Sequence, residues 1–164
     1  MSEQRKLKAG EIALARTAFG DRIDYDEVEL SNGPGIQPLA HLAFAKGNPA
    51  ITVGSTVYFK KGYCPDFAAP AHNPNSFFHE LTHVWQYQRF GMPAFFGRYG
   101  VEFAKVGGDA GKMYRYGDKE KFKDAMLEAQ AQMVGDYGEA VWAKNAARRD
   151  KIAVNLAGSG LFGL

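Results

Sequence analysis

Residues His79-Glu80-Leu81-Thr82-His83 constrain this chain more than any other five. A histidine pair at this spacing acts together only on a helix. A four-residue step turns a helix by about 400°, so the two imidazoles stack on one face about 6 Å apart and can bind one Zn2+. Glu80 points about 100° aside, too far round to be an easy ligand but within reach of a water activated by the ion, which is the position of a general base. The flanks agree with a helix. Asn73 can cap it, Pro74 suits the first helical position, and Gly91 stands where it would stop, so the sequence predicts a helix over 74–90. Phe77, Phe78, Leu81, Val84 and Trp85 make that helix apolar on more than one side, hence central. The competing reading is a helix that carries two histidines and no ion. With only four histidines in the chain, chance predicts on the order of 0.005 such patterns, and two of the four stand here.

The rest of the chain reads as a single domain of mixed α and β structure. At 164 residues, with 46% hydrophobic and 23% charged residues, it can bury a core and is not disordered. A short first helix is expected over 10–19 and a strand over 28–30 followed by the turn-forming Ser31-Asn32-Gly33-Pro34-Gly35. Ile51 to Val53 and Thr56 to Phe59 flank Gly54-Ser55 and predict a hairpin in a small antiparallel sheet. Residues 60–73 read as a loop, 93–103 as an aromatic-rich stretch with only weak helical character, and 118–147 as one long helix capped by Asp118. The fold expected is therefore α+β, one domain over 1–164, with 1–9 and 156–164 as flexible or peripheral tails. A formal charge of +2 disfavours nucleic acid, and one cysteine, Cys64, excludes a disulfide framework. No apolar run reaches the roughly 18 residues of a membrane span, and no Sec-type signal peptide stands at the start.

A catalytic zinc needs three protein ligands. Periodicity does not choose the third. On a helical wheel Glu128 falls on the more polar arc of the final helix, although Ala125, Ala129 and Ala131 around it would let another helix approach; His72, Asp136 and Glu139 are rivals on spacing alone. Tyr114, Tyr116 and Tyr137 are all candidates to stabilise an oxyanion, and the sequence does not select among them. The aromatic residues Trp85, Tyr87, Phe90, Phe95, Phe96 and Tyr99 read first as core and second as the lining of a specificity pocket.

Glu11 to Arg16 with Phe19-Gly-Asp21 and Ile23-Asp-Tyr25, then Val57-Tyr-Phe59, then Phe78 to Gln86, and finally Glu128-Ala-Gln-Ala131 with Asp136-Tyr137, together resemble a family of small bacterial zincins. These occur as the C-terminal metallopeptidase domain of Vgr-type spike proteins of type VI secretion and as Rhs- or Vgr-associated proteins. The resemblance covers most of residues 10–140. It implies a gluzincin-like site with His79, His83 and Glu128 as zinc ligands and Glu80 as base, a peptide or protein as substrate, and secretion spike proteins as delivery partners. It further implies synthesis in a bacterial cytoplasm and transfer by a contractile machine to the periplasm of a target cell. Zincins lay substrate along the edge strand before the active helix, expected here to be Thr56–Phe59. Two other functions stay open at this point: a zinc-containing docking or adaptor module of a toxin-delivery system, and a zinc hydrolase of a non-protein amide such as peptidoglycan.

Overall fold

A computed structural model describes residues 3–164. Strand β1 (Glu3–Lys6) leads into α1 (Ala9–Phe19), then β2 (Glu29–Asn32), α2 (Pro38–Ala45), and the hairpin of β3 (Ala50–Val53) and β4 (Thr56–Phe59). Helices follow: α3 (Asn75–Phe90), α4 (Met92–Lys105), the single turn α5 (Ala110–Met113), α6 (Leu127–Trp142) and α7 (Ala146–Leu156). The fold is α+β, as expected.

The four strands run in the order β1-β2-β4-β3. The sheet is mixed rather than antiparallel, because the connection through α2 returns the chain alongside β2, and β2 and β4 pair in parallel with Leu30 opposite Val57. This also corrects the expected edge strand. Thr56–Phe59 is internal, and Ala50–Val53 is the edge beside the helices. Alternation along β4 separates the layers: Val57 and Phe59 are buried in the main core with Leu81 and Val84 of α3, whereas Tyr58 joins Ile51 against Ala40, Ala43 and Phe44 of α2. Helix α2 thus covers one face of the hairpin and α3 lies on the other.

The long helix expected over 118–147 is instead three pieces. Residues 122–124 form a 3-10 turn, and α6 begins only at Leu127. Its start is set by a remote side chain: Glu102 of α4 accepts the Leu127 amide at 2.8 Å, while Arg98 donates to the Ala125 carbonyl. A local sequence pattern cannot announce such a cap. The C-terminal break falls at Ala143–Asn145, where Lys144 adopts φ +53° and the Asn145 side chain accepts the Arg148 amide to start α7. Asp118 caps nothing and pairs with Lys151 at the surface.

Residues 1 and 2 lie outside the described residues; the described parts of both segments expected to be peripheral are built into the body. Residues Glu3–Lys6 pair with β2, and Leu156 and Leu161 are fully buried in the main core. Arg5 of β1 makes a two-pronged ion pair with Glu11 of α1 at 2.7 and 2.8 Å, and the same carboxylate accepts the amides of Lys8 and Phe67. Burial alone would raise the Glu11 pKa. The hydrogen bond from Arg5 and the two amides overcome this and hold it below the usual carboxylate range. A depressed folded pKa means stability that is complete above the unfolded value of about 4.3 and is lost as pH falls through the folded value. Glu11→Gln should therefore flatten the acid limb of stability against pH, and should cost about 2 kcal/mol at neutral pH by urea melts.

Helices α3 and α6 pack closely enough to require two glycines. A Cβ at Gly135 would come 2.7 Å from Asn75 Oδ1, and one at Gly138 would overlap the Phe78 ring. Gly138→Ala gains about 1 kcal/mol of helix propensity. Forcing a methyl against a buried ring costs more, so the net expected loss is about 2 kcal/mol in chemical denaturation.

Candidate metal centre

The tight α3–α6 contact brings the histidine pair against the first turn of α6. His79 and His83 of α3 and Glu128 of α6 are all buried, with one ligand atom from each lying within 4.8 Å of the others. Glu128 Oε2 is 3.3 Å from His79 Nε2 and 3.1 Å from His83 Nε2. Of the rivals for the third position, Asp136 and Glu139 belong to a separate network. They accept hydrogen bonds from Asn75 and Arg148, with Tyr116 on Asp136 and Asn73 on Glu139, and tie the start of α3 to α6 and α7. His72 packs edge-on against Phe67, away from the cluster.

Two glutamines orient the cluster. Gln86 donates to the Leu127 carbonyl and to Gln130 Oε1, which turns its own amide oxygen toward His83 Nδ1 at 2.8 Å. An amide oxygen only accepts, so Nδ1 carries the proton, and Nε2 faces Glu128. Gln130 is fixed in turn by the Phe122 carbonyl. Burial would lower the pKa of His83, but the charge and hydrogen bond of Glu128 outweigh it, and the imidazole is pushed up to about 9. For Glu128 the balance is the mirror image: burial raises it, and the His83 charge with bonds from both histidines holds it well below the usual carboxylate range.

Glu80 sits on the same helix and is held from the sheet. Thr52 of the edge strand donates to Glu80 Oε2 at 2.7 Å and lies 3.2 Å from the Glu80 carbonyl oxygen. Among the three tyrosines the geometry selects one. Tyr114 stacks its ring parallel to His79, with 5.7 Å between centroids; Tyr116 is bound to Asp136 and Tyr137 packs on Phe162. Burial and then the charges of Glu128 and Glu80 push the Tyr114 phenol up, so it remains a hydrogen-bond donor at neutral pH. Sequence reasoning gave no role to Gln86, Gln130 or Thr52. The spacing of Gln86, one turn after His83, is a signal for the first of them.

Two imidazoles and a carboxylate, converging from two helices and backed by hydrogen-bonded amides, suit a borderline-soft divalent ion such as Zn2+. Residues 7–91 match the eCIS core domain. The chain belongs to the eCIS core domain family. The matched segment carries His79, Glu80 and His83 but ends before α6, so Glu128 lies outside it. This family member is also 31% identical over 133 residues to the type VI secretion system spike protein VgrG2b of Pseudomonas aeruginosa. The match takes in 81% of this chain, which spans 13% of the length of that spike protein. The solved effector domain of Pseudomonas aeruginosa VgrG2b superposes with a TM-score of 0.66 at 27% identity, covering 94% of this chain and 82% of that one. The eCIS core segment is thus related, together with the helices after it, to an effector domain of a secretion spike.

Proposed function

We propose that the protein is a zinc metallopeptidase that acts as an effector delivered through a type VI-like spike. The observation that carries this reading is the convergence of His79, His83 and Glu128 beside Glu80, in a chain related to the VgrG2b effector domain. A bound Zn2+ would be held by those three residues and would supply Lewis acidity, making a water a better nucleophile at neutral pH and polarising a substrate carbonyl. Glu80, aimed by Thr52, takes the proton from the attacking water and returns it to the leaving amine. Tyr114 donates its phenolic hydrogen toward the oxygen on which charge develops. The edge strand Ala50–Val53 offers backbone groups to an extended polypeptide, which aligns it next to Glu80.

The docking-module alternative is less favoured by the donor count. A structural zinc is closed by four protein ligands, and among the described residues the cluster holds three.

Export tests the reading. We expect the protein to be tolerated in a bacterial cytoplasm, and the same chain fused to a Sec signal and sent to the periplasm to slow growth severalfold, only with Glu80 intact. Equal growth of strains exporting the wild type and Glu80→Gln, both folded and zinc-loaded, would remove the periplasmic effector.

A further inference from the structure

Helix α4 starts immediately after α3, at the Gly91 turn with φ +79°, and runs past the metal-ligand cluster. It has two different sides. Phe95 and Glu102 are buried, with the Phe95 ring edge-on to His83 at 6.0 Å and stacked on Tyr87 at 3.9 Å. Flanking this buried edge, Met92, Phe96, Tyr99 and Phe103 recur at steps of four, three and four residues, which is one stripe of a helix. Met92 is 44% exposed, Phe96 41% and Phe103 40%. Tyr99 between them is half-buried against the Phe95 cluster, and large apolar side chains aligned and left open in this way mark a contact surface.

Several observations identify what this surface contacts. It is continuous with the site: Phe96 and Tyr99 both pack on Phe95, whose ring meets His83. It begins at the end of the edge strand, since Met92 Cε lies 3.5 Å from where a Cβ on Gly54 would stand. None of its four residues is charged, and Arg98 and Glu102 of the same helix face away to each other and to the start of α6. Its length from Met92 to Phe103 is about 16 Å, the span of about five residues of extended chain.

Resting on the peptidase reading of the neighbouring site, we propose that the α4 stripe is its side-chain recognition surface. It selects bulky apolar residues of an extended polypeptide, with Phe96 and Phe103 as the specificity-determining contacts. Backbone pairing to β3 is indifferent to sequence. The stripe supplies the discrimination that the strand lacks.

The test has a binding arm and a cleavage arm. Zinc-loaded Glu80→Gln protein is titrated into short fluorescein-labelled peptides, one with Leu and Phe at alternate positions in a Ser/Gln background and one with Ser at those positions. We expect the apolar peptide to bind at least about tenfold more tightly, as follows from burying one or more such side chains. Adding Phe96→Ser and Phe103→Ser should erase that difference, and Phe96→Leu should keep it. Both positions are substantially exposed, so the variants should melt within a few degrees of the parent. Equal binding of the two peptides, or binding unaffected by the serine variants, overturns the proposal. So does a parent that is dimeric by light scattering and becomes monomeric with the serine variants, since the stripe would then be a self-association face. In the cleavage arm the wild type digests a reduced, carboxymethylated protein and the sites are read by mass spectrometry. Cuts clustered beside Leu, Phe and Met support the proposal, and cuts without that preference overturn it. A wild type that cuts nothing while the apolar peptide still binds through Phe96 overturns the peptidase reading and leaves the stripe as a polypeptide-binding surface.

Discussion

Glu80→Gln should lower peptide hydrolysis at least about 1000-fold, in line with the loss of a positioned general base, while zinc content and melting temperature stay near those of the wild type. The asymmetry follows from the site. Glu80 is not one of the three residues whose ligand atoms converge, and its carboxylate points to Thr52 instead. A glutamine keeps the size and still offers an oxygen to the Thr52 hydroxyl, but it cannot take a proton. His79→Ala and His83→Ala should lose activity by the other route, with zinc absent in elemental analysis. Retained cleavage of an unfolded protein by the zinc-loaded glutamine variant would exclude this mechanism.

Glu128→Ala should weaken zinc binding at least about 100-fold, beyond the usual effect of a residue that only supports a ligand. Asp136→Ala and Glu139→Ala provide the comparison, because they lie on the same helix but belong to the Asn75–Arg148 network. They should lower stability and still show a rise in melting temperature with added zinc, since an ion bound by the folded state alone adds to folding free energy. Glu128→Ala should show little rise. An anomalous-scattering map offers the direct check, with zinc about 2.0 to 2.2 Å from a Glu128 oxygen. A zinc more than about 3 Å from both would exclude the assignment.

The helix that carries the histidines was legible from local chemistry: a proline and a glycine at its ends, and apolar residues around its circumference. The hairpin was legible for the same kind of reason, two β-branched runs around Gly54-Ser55. Glu128 was legible only through family resemblance. The wheel placed it on a polar arc, yet residues 127–131 are all buried, so this turn of α6 is surrounded rather than amphipathic. Side-chain polarity then says nothing about which way a residue faces. Helix α2 escaped notice because its apolar residues crowd onto barely two turns, and β1 because Glu3–Lys6 is wholly polar and is held by main-chain pairing and by Arg5. Where α6 begins depends on Glu102, 25 residues earlier in the chain.

The Thr52 hydroxyl touches both the side chain and the main chain of Glu80, and Thr52 belongs to the open edge of the sheet. A polypeptide added to that edge would be tied to Glu80 through that hydroxyl. Glu80 lies between His79 and His83 on α3, so its main chain moves with the histidines, and the Thr52 hydroxyl links that unit to the strand edge. An excursion of β3 against the helix would therefore shift a bound polypeptide relative to Glu80 and the histidines together, and stretch the Thr52–Glu80 contact. On the peptidase reading, alignment of substrate with base and metal ligands would then rest on the contact between that strand and that helix.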